Sequence, residues 1–228
     1  MGVFGTWTFD DLRRQVGVPL EMLLPALFRL VQDDPSLDRS AIVNPGCSPA
    51  ELDATEVRIG FALHPLHRLL LSLSNGGTLP CSGRISVLAA AVPRETEWRI
   101  VGPFLTAEER ATFQVLVDRL LHPVKPWVLG SLPSIFDEGL EVAEPYIDDL
   151  VIFADGFGDE CWGYVRGDSA RIACYYQVPG GGLFPESKDF EEFLLHQPLY
   201  PRLQTAAFVE RVRAALPCDE QQGFRPSG

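Results

Sequence analysis

A globular domain built from both helices and strands is what this sequence predicts, and three observations predict it. Hydrophobic residues make up 46% of the 228 residues, a folding rather than a disordered composition. Several segments carry apolar side chains at helical spacing behind recognisable caps. Among them, Leu150 to Tyr164 reads LVIFADGFGDECWGY: an apolar β-type run, a glycine-rich turn flanked by acids, and a second run rich in aromatics. At this length one large domain, or one domain with a small N-terminal appendage, is expected.

Taken in order, residues 8 to 32 predict two helices. Thr8 caps the first with Asp11 three residues on, Leu12 and Val16 share a face, and Gly17 ends it. Pro19 opens the second, whose Leu23, Leu24, Leu27, Phe28, Leu30 and Val31 form an apolar stripe. A helix, a Gly turn and a helix invite a DNA-reading interpretation. From Pro19 to Val31, however, Arg29 is the lone cation, so a packing appendage or a partner-binding helical pair is expected instead.

Asp33 to Pro49 has the composition of a linker. Ser48-Pro49-Ala50-Glu51 then starts a helix with an N-cap Ser, Pro at N1 and Glu at N3, and that helix carries Leu52, Val57, Ile59 and Leu63. Pro65 interrupts the pattern. A second helix runs through Leu66, Leu69, Leu70 and Leu73 until Asn75-Gly76-Gly77 stops it with residues that tolerate a left-handed backbone. His64 and His67 are spaced like a metal pair, but no nearby Cys or carboxylate completes a ligand set, so helix-surface or junction histidines are expected.

Arg84 to Val92 and Glu97 to Val101 are β-like. Thr106 and Glu109 open a helix bearing Phe113, Leu116, Val117, Leu120 and Leu121, which His122-Pro123 ends. Trp127 to Leu129 is a short apolar run, and Ile135 to Tyr146 is irregular and acidic. Beyond Tyr164, Arg166-Gly167-Asp168-Ser169 turns the chain into a second β-like run, Arg171 to Val178. The glycines of Pro179 to Gly182 lack the residues of a phosphate-cradling loop. Asp189 and Glu192 cap a short helix with Phe190, Phe193 and Leu194 facing inward, and Thr205 to Leu216 is the last helix.

A formal net charge of −12 argues against binding to a phosphate backbone, so no nucleic-acid partner is expected. No basic residue lies between Lys125 and Arg166, whereas Asp137, Glu138, Glu141, Glu144, Asp148, Asp149, Asp155, Asp159 and Glu160 give nine acids. A solvated face and an electrostatic patch for a cationic protein both fit this run. On the second reading the candidate contact residues are Asp137, Glu138, Asp148, Asp149, Asp155, Asp159 and Glu160. Five cysteines without a CxxC pair predict reduced, mostly buried thiols in a cytosolic protein. No export signal or run of membrane-spanning length is present, which points to a cytoplasmic chain without a membrane partner. Met1 to Thr6 loosely matches a myristoylation pattern, but no polybasic second anchor follows.

Catalytic signatures are missing from the sequence. Cys161 sits among aromatics with no local His, which fits a buried thiol better than a nucleophile. Asp155, Asp159 and Glu160 do not have calcium-loop spacing, because Phe157 occupies the third position. No GxSxG, HExxH or nucleotide fingerprint occurs. Trp162, Tyr164, Tyr175 and Tyr176 have no interleaved bases, so they read as core or interface aromatics rather than a base-stacking platform. The expectation is a non-enzyme without catalytic residues, cofactor or metal.

Ser48-Pro-Ala-Glu, Leu63-His-Pro-Leu-His-Arg-Leu-Leu and Asn75-Gly76-Gly77 are followed by the Val151-to-Tyr164 stretch, an aromatic strand and Asp189-Phe-Glu-Glu-Phe-Leu. In that order, from roughly Ser48 to Leu195, they resemble the SUKH superfamily of fungal cell-wall regulators and bacterial toxin-immunity proteins. The chain departs from the family pattern at Gly163, where Asp is common, and at Gln177, where His is often found. The resemblance implies an α+β domain with one mixed or antiparallel sheet packed by helices, and no catalysis. The expected organisation is a small N-terminal helical appendage over 1–45, the SUKH-like domain over 46–200, and a C-terminal helix with a frayed tail over 201–228. The function it implies is neutralisation of a toxin by direct binding, with a basic nuclease as one candidate partner. A regulator or scaffold of the same superfamily that uses the N-terminal helical pair is the alternative reading, and a small hydrolase the third.

Overall fold

The computed structural model describes residues 6–38, 41–82, 85–91, 99–101, 121–124, 150–156, 160–165, 168–176 and 183–217. Among these the architecture is α+β. Six helices are α1 (Phe9–Val16), α2 (Leu20–Asp33), α3 (Pro49–Ile59), α4 (Pro65–Leu73), α5 (Phe190–His196) and α6 (Ala206–Ala214). A 3-10 turn, Pro201–Leu203, precedes α6. The helices start where local chemistry dictates. Thr8 Oγ1 accepts from Asp11 N while the Asp11 carboxylate accepts from Thr8 N at 2.9 Å, a reciprocal box repeated by Ser48 and Glu51 at the head of α3.

The strands are β1 (Ala41–Val43), β2 (Gly77–Thr78), β3 (Ile85–Val87), β4 (Arg99–Val101), β5 (His122–Val124), β6 (Leu150–Gly156), β7 (Glu160–Val165), β8 (Asp168–Tyr176) and β9 (Leu183–Ser187). They form one sheet in the order β4-β1-β2-β3-β6-β7-β8-β9, with β5 also pairing β6. Every ladder among the described residues is antiparallel. β6 is the axis of this sheet. One of its edges pairs β7, while the other is divided between β5, opposite Leu150 to Ile152, and β3, opposite Ala154 to Gly156. A register shift in the β6–β7 ladder falls between Ile152 and Ala154, at the point where that division occurs.

Both faces of the central hairpin are buried, which explains why Leu150 to Ala154 is a continuous apolar run rather than an alternating one. Val151, Phe153, Trp162, Tyr164, Ile172 and Cys174 point into the main core against the helices. Leu150, Ile152, Cys161, Val165 and Ala173 form a second cluster with Leu88 on the opposite face.

The N-terminal helical pair and the C-terminal helix share the main core with the segment between them. Phe9, Leu12, Leu23 and Leu27 belong to the same apolar cluster as Phe153, Phe190, Phe208 and Val212. α1 lies against α5 and α6, and α2 against α4 and α6. The backbone ties the N-terminal helical pair to the segment after α5 through Phe9 N to Gln197 O at 3.0 Å and Leu199 N to Trp7 O at 2.8 Å.

Besides the two-residue β2, at the Gly77 expected only to stop a helix, three short strands depart from the sequence expectation. β1 lies inside the stretch expected as a linker, β5 begins at the His122-Pro123 expected only to end a helix, and β9 covers Leu183–Ser187, where the sequence pattern predicts no strand. β1 and β5 are three residues long and β9 holds a proline, so none carries enough alternation to register as a pattern; their partners in the sheet define them. The expected helix from Thr106, the run Trp127 to Leu129, the segment Ile135 to Tyr146 and the loop Pro179 to Gly182 lie outside the described residues.

Candidate functional site

The acids Asp155 and Glu160, at the facing ends of β6 and β7, are the first candidates, and the structure separates them. Asp155 is 4% exposed and accepts a hydrogen bond from Cys161 Sγ at 3.0 Å, across the ladder that pairs these two residues. Its carboxylate therefore belongs to the interior of the hairpin. Glu160, at the start of β7, is half-buried. Gly156 lets the indole of Trp162 approach the backbone: a Cβ there would meet the ring at 2.8 Å and Glu160 Cβ at 3.3 Å. Asp137, Glu138, Asp148, Asp149 and Asp159 lie outside the described residues.

One acid that sequence reasoning missed joins Glu160. Glu186, exposed on β9, has its carboxyl raised above the ordinary range, first by partial desolvation and further by the charge of Glu160, with His196 pulling the other way. Two strands separated in sequence thus contribute acids to one electrostatic neighbourhood. The only sequence signal was Glu186 itself, an isolated acid in a short strand.

The residues with reactive side chains are used in packing. His67 has no exposed surface and stacks on Phe190 with ring centroids 4.4 Å apart and planes 10° apart. Its Nδ1 lies 2.8 Å from Tyr164 Oη. Phe153 and Tyr164 close the ring in at centroid distances of 5.3 and 5.7 Å. Burial, with a smaller push from His64, lowers the pKa of His67 to about 3, so the ring is neutral. Burial likewise raises Tyr164 well above the ordinary phenol. His64 acts on the backbone instead, where its Nδ1 accepts from Leu66 N at 3.3 Å and caps α4. The two histidines of the sequence pair thus serve separate local needs.

Asn75 is the second buried polar centre. Its Oδ1 accepts from Ala90 N at 2.8 Å and Ala91 N at 3.3 Å, and its Nδ2 donates to Ala91 O at 3.1 Å. Asn44 Nδ2 donates to Asn75 O at 3.0 Å, and Asn44 N donates to Ser74 Oγ at 2.8 Å. Arg58 Nη2 donates to Ala90 O and to Leu121 O, each at 2.7 Å. The left-handed residues expected in Asn75-Gly76-Gly77 are the two glycines, with φ of 75° and 113°. Asn75 instead supplies its side chain as the tie between the end of α4 and the exit from β3.

A third polar centre surrounds Asp38, which is fully buried and accepts from Cys81 N at 3.0 Å and from Tyr200 Oη at 3.4 Å. Cys81 has φ of 67°, in the left-handed region that non-glycine residues rarely occupy. Burial and then the charge of Asp38 push its thiol up, against a smaller opposite effect of Arg202, which makes it a poor nucleophile.

Among the described residues no group of three or more His, Cys, Asp or Glu side chains is arranged to hold a metal ion. None of the described helices is long and apolar enough to cross a membrane. Compared with family models, curated proteins and solved structures, the chain has no match.

Proposed function

We propose that the protein is a non-catalytic binding protein of the toxin-immunity kind suggested by the SUKH resemblance, and that it neutralises a basic toxin domain, such as a nuclease, by direct contact. The observation that supports this reading is the run of nine acids, free of any base, between Lys125 and Arg166, from which the buried Asp155 is withdrawn as a contact residue. Glu160, at one end of that run, has Glu186 in its electrostatic neighbourhood. A patch of one sign steers a partner of the opposite sign and selects against others. Consistent with a binding rather than a reactive role, His67, Cys81 and Cys161 are fully buried among packed side chains.

Co-expression with the product of a toxin gene adjacent to the one encoding this chain, followed by pull-down of the pair, tests the reading. Protection of the cells and recovery of a complex are the expected results. If no neighbouring gene encodes a toxin and the protein protects against none, the reading fails.

A further inference from the structure

His67 is held between α4, β6, β7 and α5, and its two ring nitrogens are in unequal situations. Nδ1 meets Tyr164 Oη, whereas the buried Nε2 has no hydrogen-bond partner among the described residues. A neutral ring offers two arrangements. If Tyr164 donates to Nδ1, the ring proton sits on Nε2 and one N–H is left over. If Nδ1–H donates to Oη, both the Nε2 lone pair and the tyrosine hydrogen are left over. The first leaves fewer buried groups unsatisfied, so Tyr164 is the donor and His67 the acceptor.

An imidazolium cannot take that role, because both of its nitrogens donate. Tyr164, packed against the rings of Phe153 and Phe190, then loses the acceptor of its hydrogen, and a full charge sits where no surface is exposed. Among the described residues no charged neighbour relieves it. On α4, His64 caps the helix and Arg68 is paired with Asp53 and Glu56 of α3. On β6, Asp155 is bonded to Cys161, and on β7 Glu160 is the first residue of the strand, at the end opposite Tyr164 and Val165. On α5, Glu191 and His196 are exposed, and Glu192 accepts from Lys188 N at 2.7 Å.

We propose that the His67–Tyr164 pair is an acid-sensitive lock that holds α4 against the β6–β7 hairpin while the ring is neutral and releases it when the ring takes up a proton. The direction of the pH effect follows from which state binds the proton. The unfolded chain protonates this histidine below its ordinary pKa of 6.5, whereas the folded chain resists until about 3. The lock is therefore at full strength above pH 6.5 and weakens as pH falls from 6.5 toward 3. Within that window the unfolding equilibrium shifts by up to about tenfold per pH unit, the response to one proton excluded from the fold.

Urea unfolding of the full chain at a series of pH values between about 7.5 and 4.5 tests this, with wild type set against His67→Phe/Tyr164→Phe, which removes both polar partners together. Below the ordinary histidine value, wild type should lose stability about tenfold per pH unit faster than the double variant. Parallel profiles would overturn the proposal. Ring NMR signals of His67 in the folded wild type give a readout that needs no variant. Neutral-form shifts retained at about pH 5 are expected, and titration near the ordinary histidine value in the folded state would refute the lock.

Discussion

Gly163 lies so close to Leu150 that a Cβ on it would meet Leu150 Cγ at 2.7 Å and the Val151 carbonyl oxygen at 2.9 Å. This explains in packing terms why a glycine stands in the second strand of the hairpin. Gly163→Ala should destabilise the fold by about 1–3 kcal/mol through overpacking. Gly163→Asp should cost more, because it adds an unpaired carboxylate to a buried strand. Urea midpoints would measure both, and an alanine variant as stable as wild type would show that β6 yields freely.

Asn75 makes the bonds that join the end of α4 to Ala90 and Ala91. Asn75→Ala leaves the buried Ala90 N–H without its acceptor, and a loss of about 2–4 kcal/mol is expected from the several bonds broken together. Ser72→Ala, on the exposed face of the same helix, should stay within about 0.5 kcal/mol of wild type. Thermal or urea unfolding of the two variants side by side separates a buried tie from a surface change.

Val57 and Leu52 lie on one helix with opposite fates, at 83% and 4% exposure respectively. Val57→Ser should therefore change stability by less than about 0.5 kcal/mol. Leu52→Ala, which leaves a cavity in the core, should cost about 2–5 kcal/mol. Equal effects from the two in denaturant titrations would contradict the orientation of α3.

Neutralising Asp148, Asp149 and Glu160 together should slow association with a basic partner several-fold and flatten its dependence on salt, while dissociation changes less. Adding Glu186→Gln should extend the effect, since Glu186 and Glu160 share one field. Stopped-flow association across a range of ionic strengths is the measurement. Kinetics unchanged by all four substitutions would remove the acidic surface from the binding model.

The elements most legible in the sequence were those whose signals are complete within a few residues. Thr8 with Asp11, Ser48 with Glu51, and Asp189 with Glu192 each mark a helix start, and each helix begins there. The Leu150-to-Tyr164 stretch announced two strands for the same reason. Val57 was less legible. Its spacing matches an apolar position on α3, but a valine carries no mark of which side of a weakly amphipathic helix it occupies.

The sequence by itself determined where the capped helices start, that the Leu150 run would be a strand, and that acids accumulate without bases beside it; it did not place the end of α3, which stops at Ile59 short of the expected Leu63. Caps and tight turns involve backbone groups three or four residues away, so the local residues specify them. Only the tertiary structure decided that His67 meets Tyr164 across 97 positions, that Asn75 reaches Ala90, and that Glu186 feels the charge of Glu160. A buried polar side chain takes whichever partner the packing of distant segments brings to it, and no local pattern encodes that choice.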